Sequence, residues 1–502
     1  MSERGQWGSR MGFILAAIGS AIGLGNIWRF PYVAASNGGG AFLIPYLFAL
    51  LTAGIPILIL EFSLGHKTKT SAPGVFGKIN RKFETLGWFQ TIISFAIMVY
   101  YVAIIAWAFN YFVFALQGGA WGTDTKAFFF GEFLNVTEGA FQLGGFNSAV
   151  LIPLVLVWLI NYVILMAGVK GGIEKANKIF MPLLIICLLV IVIRGITLPG
   201  ASAGLDYFFT PDFSALADPE VWINAYGQIF YSLSICFGVM MAYSSYLPKK
   251  TDIVNNAFIT GFGNCSFSLL AGIAVFSVLG FMATSQGVGV EEVATGGIGL
   301  AFIVFPMAIN ALPGFNAAFG AIFFLCLIFA GVSSSMSIME TFVAGTADKF
   351  NASRKKVLTI ATLVGFSISL LFVTGAGIFI LDIVDHFINT YCIAIAGLLE
   401  IIFIAWFFNL EGIRKYANGL SDFTVARWWN FTLKFLTPVL LGTMFIYKTF
   451  IDLTVPYEGY GVSELMVFGV GTIIVTAIAA FIFKSIKGSQ TYEANISKGV
   501  EM

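Results

Sequence analysis

The sequence predicts an all-α integral membrane protein of about twelve transmembrane helices, the first and the sixth of them broken in mid-membrane. Three observations carry that reading. Hydrophobic residues make up 58% of the 502-residue chain and charged residues 11%, with a mean hydropathy of +0.89, which excludes an ordinary soluble enzyme. Long apolar runs recur from residue 10 to residue 485, enough for about twelve bilayer spans. Glycines and polar residues interrupt two of these runs, and hydrocarbon tolerates a broken helix only where protein or a wet cavity satisfies its backbone.

Helices are expected at roughly 10–35, 40–66, 85–116, 148–168, 175–196, 222–247, 253–283, 316–345, 357–373, 379–409, 428–451 and 464–484. The loops between them alternate in charge. Arg4 and Arg10 precede the first helix, and Lys67, Lys69, Lys78, Arg81 and Lys82 fill the second-to-third connection. Lys170, Lys175, Lys178, Lys249 and Lys250 continue that side, followed by Lys349, Arg354, Lys355, Lys356, Arg414, Lys415 and Arg427, with Lys484, Lys487 and Lys498 in the tail. The other loops are acidic, through Asp124, Glu132, Glu138, Asp206, Asp212, Asp218, Glu220, Glu291, Glu292, Asp452 and Glu458. By the positive-inside rule both termini are cytoplasmic, and an even number of helices satisfies every loop at once.

The remaining features narrow the class. Residues 1–10 are short and polar with no cleavable signal pattern, so the first helix is expected to stay in the mature chain. A formal charge of +1 argues against nucleic acid as a partner. Cys187, Cys236, Cys265, Cys326 and Cys392 all sit in apolar segments and read as reduced core residues, while His66 and His386 are too far apart in the sequence to suggest a metal site. Asn135-Val136-Thr137 is formally a glycosylation sequon in the loop at 117–147. With no cysteine pair beside it and no long tails, it reads as coincidence in a prokaryotic inner-membrane chain. The connection at 284–315, with Pro306 and Pro313, reads as short helices forming a lid over the outer mouth.

The stretch Gly19-Ser20-Ala21-Ile22-Gly23-Leu24-Gly25-Asn26-Ile27-Trp28-Arg29-Phe30-Pro31 organises the rest. Freed carbonyls there suit a cation and half-helix amides suit a carboxylate. Glycines alone would read as a helix-packing face; Asn26 and Arg29 tip the reading to a small-molecule and ion site, because buried amides and charges are costly. Gly227-Gln228-Ile229-Phe230-Tyr231-Ser232-Leu233-Ser234-Ile235-Cys236-Phe237-Gly238 echoes it five helices later, so the two copies cross the membrane in opposite directions. The chain, 1–502, then reads as one transmembrane domain: a first repeat over 10–196, an inverted second over 222–409, and two additional helices over 428–484.

These motifs, with Trp7-Gly8-Ser9-Arg10, Asn37-Gly38-Gly39-Gly40-Ala41-Phe42 and Ala330-Gly331-Val332-Ser333-Ser334-Ser335, resemble the neurotransmitter:sodium symporter family, especially its bacterial amino-acid transporters, over nearly the whole chain. The resemblance implies two sodium sites. The first would use the Ala21 carbonyl, Asn26, Ser232 and Asn264, with the substrate carboxylate completing its shell. The second would use Gly19, Ile22, Ala330, Ser333 and Ser334, of which the last three share one face of the eighth helix. That face also reads as a small-residue packing seam. The family often has Thr where this chain has Ser232 and Ser333; each keeps the hydroxyl.

The implied substrate site comprises Ala21, Gly23, Leu24, Gly25, Ile97, Tyr101, Tyr231, Ser232, Ser234, Phe237, Ser334 and Ile338. Monoamine carriers of the family have Asp at the position of Gly23, so a Gly favours an amino acid. The mostly apolar side-chain pocket suits a neutral, hydrophobic one. Tyr231 departs from the Phe usual at the gate position, and both Tyr101 and Tyr231 also read as plain core aromatics. Arg29 and Asp385 resemble an outer gate pair; Arg4, Trp7, Tyr246 and Asp348 resemble an inner latch, although Arg4 reads equally as a topology charge. Gly172 and Pro182 resemble a motif linked to local unwinding of the fifth helix. Chloride-dependent members resemble a set met here by Tyr46, Gln228, Ser232, Asn264 and Ser268, with no carboxylate in the seventh helix; Glu61 or another acid is the alternative source of counter-charge. Sodium-coupled, chloride-dependent import by alternating access is the function implied. A non-transporting amino-acid sensor or a substrate-gated ion leak on the same scaffold is the alternative, and no nucleophile–base pair or metal set suggests an enzyme.

Overall fold

The computed structural model describes residues 5–294 and 296–500. Arg4, expected in the inner latch, lies outside the described residues. Among the described residues ten helices are long and apolar enough to cross a membrane, and an eleventh span is a pair, Arg10–Ala21 and Leu24–Ser36, bent by 54°. That pair is α1. It is followed by α2 (Gly40–Thr68), α3 (Arg81–Leu116), α4 (Ser148–Met166) and α5 (Val169–Ile196). Then come α6, α7 (Ile253–Gln286), α8 (Asn316–Phe350), α9 (Arg354–Val373), α10 (Gly377–Phe407), α11 (Trp428–Gly459) and α12 (Val462–Ser485). The sixth, α6, is two shorter helices, Pro219–Ser232 and Val239–Ser245, separated by a non-helical stretch. Its halves are each too short to register as a span, which is why length and composition count eleven where the loop charges ask for twelve.

Local chemistry sets the helix starts. Ser9 opens α1 by accepting from Gly12 N–H at 3.0 Å, and Asn147, Asp218 and Asp252 cap α4, α6 and α7 in the same way. Span α8 runs a turn beyond expectation and ends where Asn351 takes a left-handed φ of 48°. The expected unwinding between Gly172 and Pro182 is absent in this conformation: a wide turn over Val169–Ile173 leads into a continuous helix, Glu174–Ile196, with Pro182 inside it.

The spans sort into a scaffold and a rim. The most apolar window of α3 is 83% buried and that of α11 only 6%, so α3 lies in the bundle and α11 on its lipid-facing edge. Residues 290–293 and 297–311 fold into short helical pieces, as expected, and Phe302 packs edge-on against Trp107 and within 6.3 Å of Trp28. The five cysteines are buried and free. Four short helices lie where loops were expected: Ala72–Ile79, Ala201–Phe209, Leu410–Asn418 and Gln490–Ser497. The last docks through Tyr492, whose hydroxyl donates to Glu84 at 3.1 Å, the same carboxylate that pairs with the fully buried Lys349 at 2.8 Å. Burial of the Tyr492 hydroxyl beside Glu84 holds its pKa well above the usual phenol range.

One close approach ties the scaffold to the broken helix. A Cβ on Gly65 of α2 would lie 2.2 Å from both Met241 O and Ser244 Oγ in the second half of α6. Gly65→Ala is therefore expected to destabilise the protein by about 1–3 kcal/mol, the usual penalty of overpacking. A thermal melt in detergent checks it; an unchanged midpoint would show that the α2–α6 contact yields freely.

Candidate substrate and ion site

The first break begins where the ladder of α1 stops. Ile22 N–H donates to Ile18 O at 2.7 Å, after which Ile22 and Gly23 are extended and a new helix starts at Leu24. Carbonyls freed there collect around α8. Ser334 Oγ lies 3.4, 3.3 and 3.1 Å from the carbonyl oxygens of Gly19, Ser20 and Ile22, and the neighbouring Ser333 hydroxyl donates to Ala330 O at 3.0 Å. One hydroxyl proton faces three carbonyls, so this is an electron-rich nest of hard oxygens, which fits a sodium ion. Ser20 is an addition to the expected set.

The second cluster is built on Asn264 of α7. Asn26 Nδ2 donates to Asn264 Oδ1 at 2.9 Å and to Ser268 Oγ at 2.8 Å, while Asn26 Oδ1 accepts from Gly23 N–H at 3.0 Å. Asn264 Nδ2 reaches Ser232 Oγ at 3.0 Å; with its amide turned over, the nitrogen donates instead to Ala21 O at 3.2 Å. In one orientation Asn264 bonds Asn26 and Ser232, and in the other Ala21 and Ser232, so the groups expected at the first sodium ion surround one fully buried amide.

Beside them lies the expected chloride set. Tyr46 OH is 3.5 Å from Ser268 Oγ and also sits within reach of Ser232, and Ser268 donates to its own helix at Asn264 O, 3.2 Å away. Gln228, one turn before Ser232, is fully buried with neither amide atom hydrogen-bonded. A dry amide with two unused N–H groups fits an anion.

The unwound stretch of α6 is strained and fastened. Ser234 (φ 52°) and Cys236 (φ 69°) are non-glycine residues in the left-handed region, at a cost of about 1–3 kcal/mol each. Three contacts hold them: Ser234 Oγ donates to Ser20 O at 2.8 Å, Cys236 N–H to Glu61 Oε1 at 2.6 Å, and Ser94 Oγ to Phe237 O at 2.6 Å. The first of these joins the two breaks directly.

Between the breaks lies a small cavity of about 50 Å³. Ala21, Gly23, Leu24, Gly25, Ile97, Tyr101, Tyr231, Ser232, Ser234, Phe237, Ser334 and Ile338, all twelve residues expected at the substrate, line it. Tyr101 OH accepts from Leu24 N–H at 3.2 Å. A Cβ on Gly25 would lie 2.2 Å from the Tyr231 ring, and one on Gly23 would project between Tyr101 Oη and Ser334 Oγ. Glycine is therefore needed for close approach at the first position and leaves room at the second. Tyr100, Asn389 and Ile393 also line the cavity and were missed by the sequence reading. Asn389 carried a usable signal, an amide one turn beyond Asp385 inside an apolar span.

At the outer end the two expected gate charges are not paired with each other in this conformation. Arg29 and Asp385 form no ion pair; the Arg29 guanidinium lies over the Tyr231 ring, 4.7 Å from its centroid, and Asp385 accepts from Asn389 Nδ2 at 2.8 Å. An aromatic face and an amide take up the two charges, each gaining a partner that needs no movement of the helices. The inner end is closed. Trp7 Nε1 donates to Tyr243 O at 2.8 Å and Trp7 N–H to Tyr246 O at 3.2 Å. Asp348 accepts from Thr70 Oγ1, Ser71 N and Ser71 Oγ, each at 3.0 Å. Tyr246 OH and Arg354 both donate to Glu340 Oε1, at 2.7 and 2.5 Å, a partnership the sequence reading missed although an acid inside α8 was visible.

Comparison with known proteins bears on what this arrangement does. The chain matches the profile of the sodium:neurotransmitter symporter family over residues 4–128 and 119–488. It is 44% identical over 485 residues to a protein of Methanocaldococcus jannaschii described as an uncharacterized sodium-dependent transporter, covering 97% of this chain and 98% of that one. It is 33% identical over 488 residues to the sodium- and chloride-dependent GABA transporter 2 of Homo sapiens, covering 89% of this chain and 80% of that one. The protein of the same description from Rattus norvegicus is 32% identical over the same length.

Proposed function

The chain belongs to the sodium:neurotransmitter symporter family and is a multi-pass, sodium-dependent transporter, and from that premise we propose that it imports a neutral, hydrophobic L-amino acid together with two sodium ions and chloride by alternating access. The observation that carries the substrate is the cavity between the two breaks: its wall joins backbone of α1 to Ile97, Phe237, Ile338 and Ile393 and contains no ionised side chain. In this reading the substrate carboxylate lies at the first turn of the second half of α1, where Gly25 N–H has no intrahelical acceptor and Leu24 N–H is held only by the Tyr101 hydroxyl. Its ammonium group meets carbonyls released by the breaks. Its side chain lies on the apolar wall.

Ion and substrate share a shell in this reading. The Ala21 carbonyl, Asn26, Ser232 and Asn264 hold the first sodium, and the carboxylate completes its coordination. Gly19, Ile22, Ala330, Ser333 and Ser334 hold the second. Tyr46, Gln228, Ser232, Asn264 and Ser268 hold chloride, whose charge offsets the sodium charge in a dry site. Tyr231, with Arg29 stacked on it, and Asp385 control access from outside; the Trp7 latch with Tyr246 and Asp348 controls the inside, and rocking of one repeat against the other opens them in turn. The loop charges support cytoplasmic termini, and the membrane is taken as a prokaryotic inner membrane.

A competition panel of the twenty amino acids and GABA, against sodium-driven uptake in proteoliposomes, tests the substrate. Leu-, Ile- or aromatic-sized side chains are expected to compete best, with each methylene gained or lost changing affinity by roughly 1–3 kcal/mol. A panel won by Asp, Glu or Lys would reject the apolar pocket. One won by GABA would place this chain with its 33%-identical relative in substrate as well as in fold.

A further inference from the structure

One cluster of buried ionisable groups has no part in the transport site. Glu61 on α2 and Glu400 on α10 are both fully buried at membrane depth, and an oxygen of each lies with the Cys236 thiol in a group whose atoms are all within 4.8 Å of one another. Each carboxylate has one hydrogen-bond donor: Glu61 Oε1 accepts from Cys236 N–H at 2.6 Å, and Glu400 Oε2 accepts from Gln90 Nε2 at 2.6 Å. Glu61 Oε2, Glu400 Oε1 and the Oε1 of the fully buried Gln90 have no hydrogen-bond partner among the described residues. Three orphaned acceptors in one dry place call for a positive occupant. Two carboxylates this close cannot both stay ionised away from water, because burial penalises each charge and each penalises the other. A metal cation is the poorer occupant, since an N–H group and a thiol take positions that a hard ion would need filled by oxygen.

We propose that Glu61 and Glu400 form a proton-binding site that carries one proton between them and sets the grip of Glu61 on the unwound stretch of α6. The proton comes from water and returns to it; an O–H bond forms and breaks on a carboxylate oxygen, and nothing else changes. With one proton the pair keeps a single negative charge, which the Cys236 amide stabilises. A second proton would leave Glu61 a weaker acceptor for that amide, and losing the first would set two anions against each other. Cys236 lies between Ser234 and Phe237, both on the cavity wall, so proton count and cavity shape are linked. Packing reinforces the link, because α10 approaches Cys236 through a glycine: a Cβ on Gly397 would lie 2.9 Å from its sulfur. The titratable groups that bear on one another here are Glu61 from α2, Glu400 from α10 and the Cys236 thiol from α6; α3 contributes the neutral Gln90.

Infrared spectroscopy of the full chain in lipid nanodiscs, without substrate, reads the proton directly, so its outcome is independent of which amino acid is carried. The unmutated protein is expected to show a deuterium-sensitive carboxylic-acid C=O band at neutral pH, part of which disappears in both E61Q and E400Q and none of which responds to sodium. Gln90→Met, which removes the donor to Glu400 and touches no ion or substrate ligand, is expected to shift that part in frequency. Substrate affinity is expected to depend on pH in the unmutated protein and to lose that dependence in E400Q. The proposal is overturned by a spectrum identical in all three variants, by loss of the band on adding sodium, which would mark a cation site, or by an unaltered pH profile in E400Q.

Discussion

Asn264→Ala is expected to weaken sodium binding and substrate binding together, each by roughly 10- to 150-fold, the range for loss of a hydrogen bond or ligand to a charged group at about 1.5–3 kcal/mol. The buried Asn264 amide lies against Asn26, Ser232 and Ala21, bonding Asn26 in one orientation and Ala21 in the other, so its removal opens the shell that ion and carboxylate share. Linkage then makes the loss reciprocal: whatever factor sodium adds to substrate affinity, substrate adds to sodium affinity, and both factors shrink by the same amount. Asn26→Ala is expected to behave alike, because Asn26 also pins Gly23 N–H at the break. Substrate titrations at several sodium concentrations, by calorimetry or scintillation proximity, check this. Substrate affinity that follows sodium in the mutant as it does in the parent would sink the shared shell.

Replacing chloride by gluconate is expected to cut sodium-driven uptake by about tenfold or more, and Ser268→Glu to remove that dependence. An uncompensated buried charge costs on the order of 3–5 kcal/mol, so a site holding sodium without its anion should fill poorly. Ser268 receives Asn26 Nδ2 at 2.8 Å and stands 3.5 Å from Tyr46 OH, so a carboxylate placed there would meet the same donors as the anion. Glu61, the alternative counter-charge, is committed elsewhere: it accepts Cys236 N–H and faces Glu400. Uptake of labelled substrate into proteoliposomes in the two salts, for parent and variant, is the measurement. Equal uptake by the parent in both salts would return the counter-charge to a buried acid.

Much of the architecture was legible along the chain because its causes are local. Hydropathy marks a span wherever twenty or so residues must face lipid, and the glycine and amide interruptions at 19–31 and 227–238 mark the breaks. Both breaks lie where the sequence placed them, with Ile22–Gly23 extended and Ser234, Cys236 and Gly238 at positive φ. The short helices at Ala72–Ile79, Leu410–Asn418 and Gln490–Ser497 were not legible, since fewer than three turns leave little periodicity to read and each is held by docking.

What the sequence by itself determined is therefore the number of spans, the two points where helix gives way, and the types of donor waiting there. Ser333 and Ser334 share a helical face whatever surrounds them, and a Gly at position 23 leaves space in any packing. Only the tertiary structure decided which distant groups meet. Arg29 lies on Tyr231 and Asp385 on Asn389. Arg354 and Tyr246 converge on Glu340, and Lys349 is buried against Glu84. Glu61 on α2 and Glu400 on α10 bring carboxylate oxygens within 4.8 Å of each other. Partner choice among buried polar groups depends on helix crossings and depth in the membrane, and a charge that finds its partner hundreds of residues away leaves no pattern in its own neighbourhood.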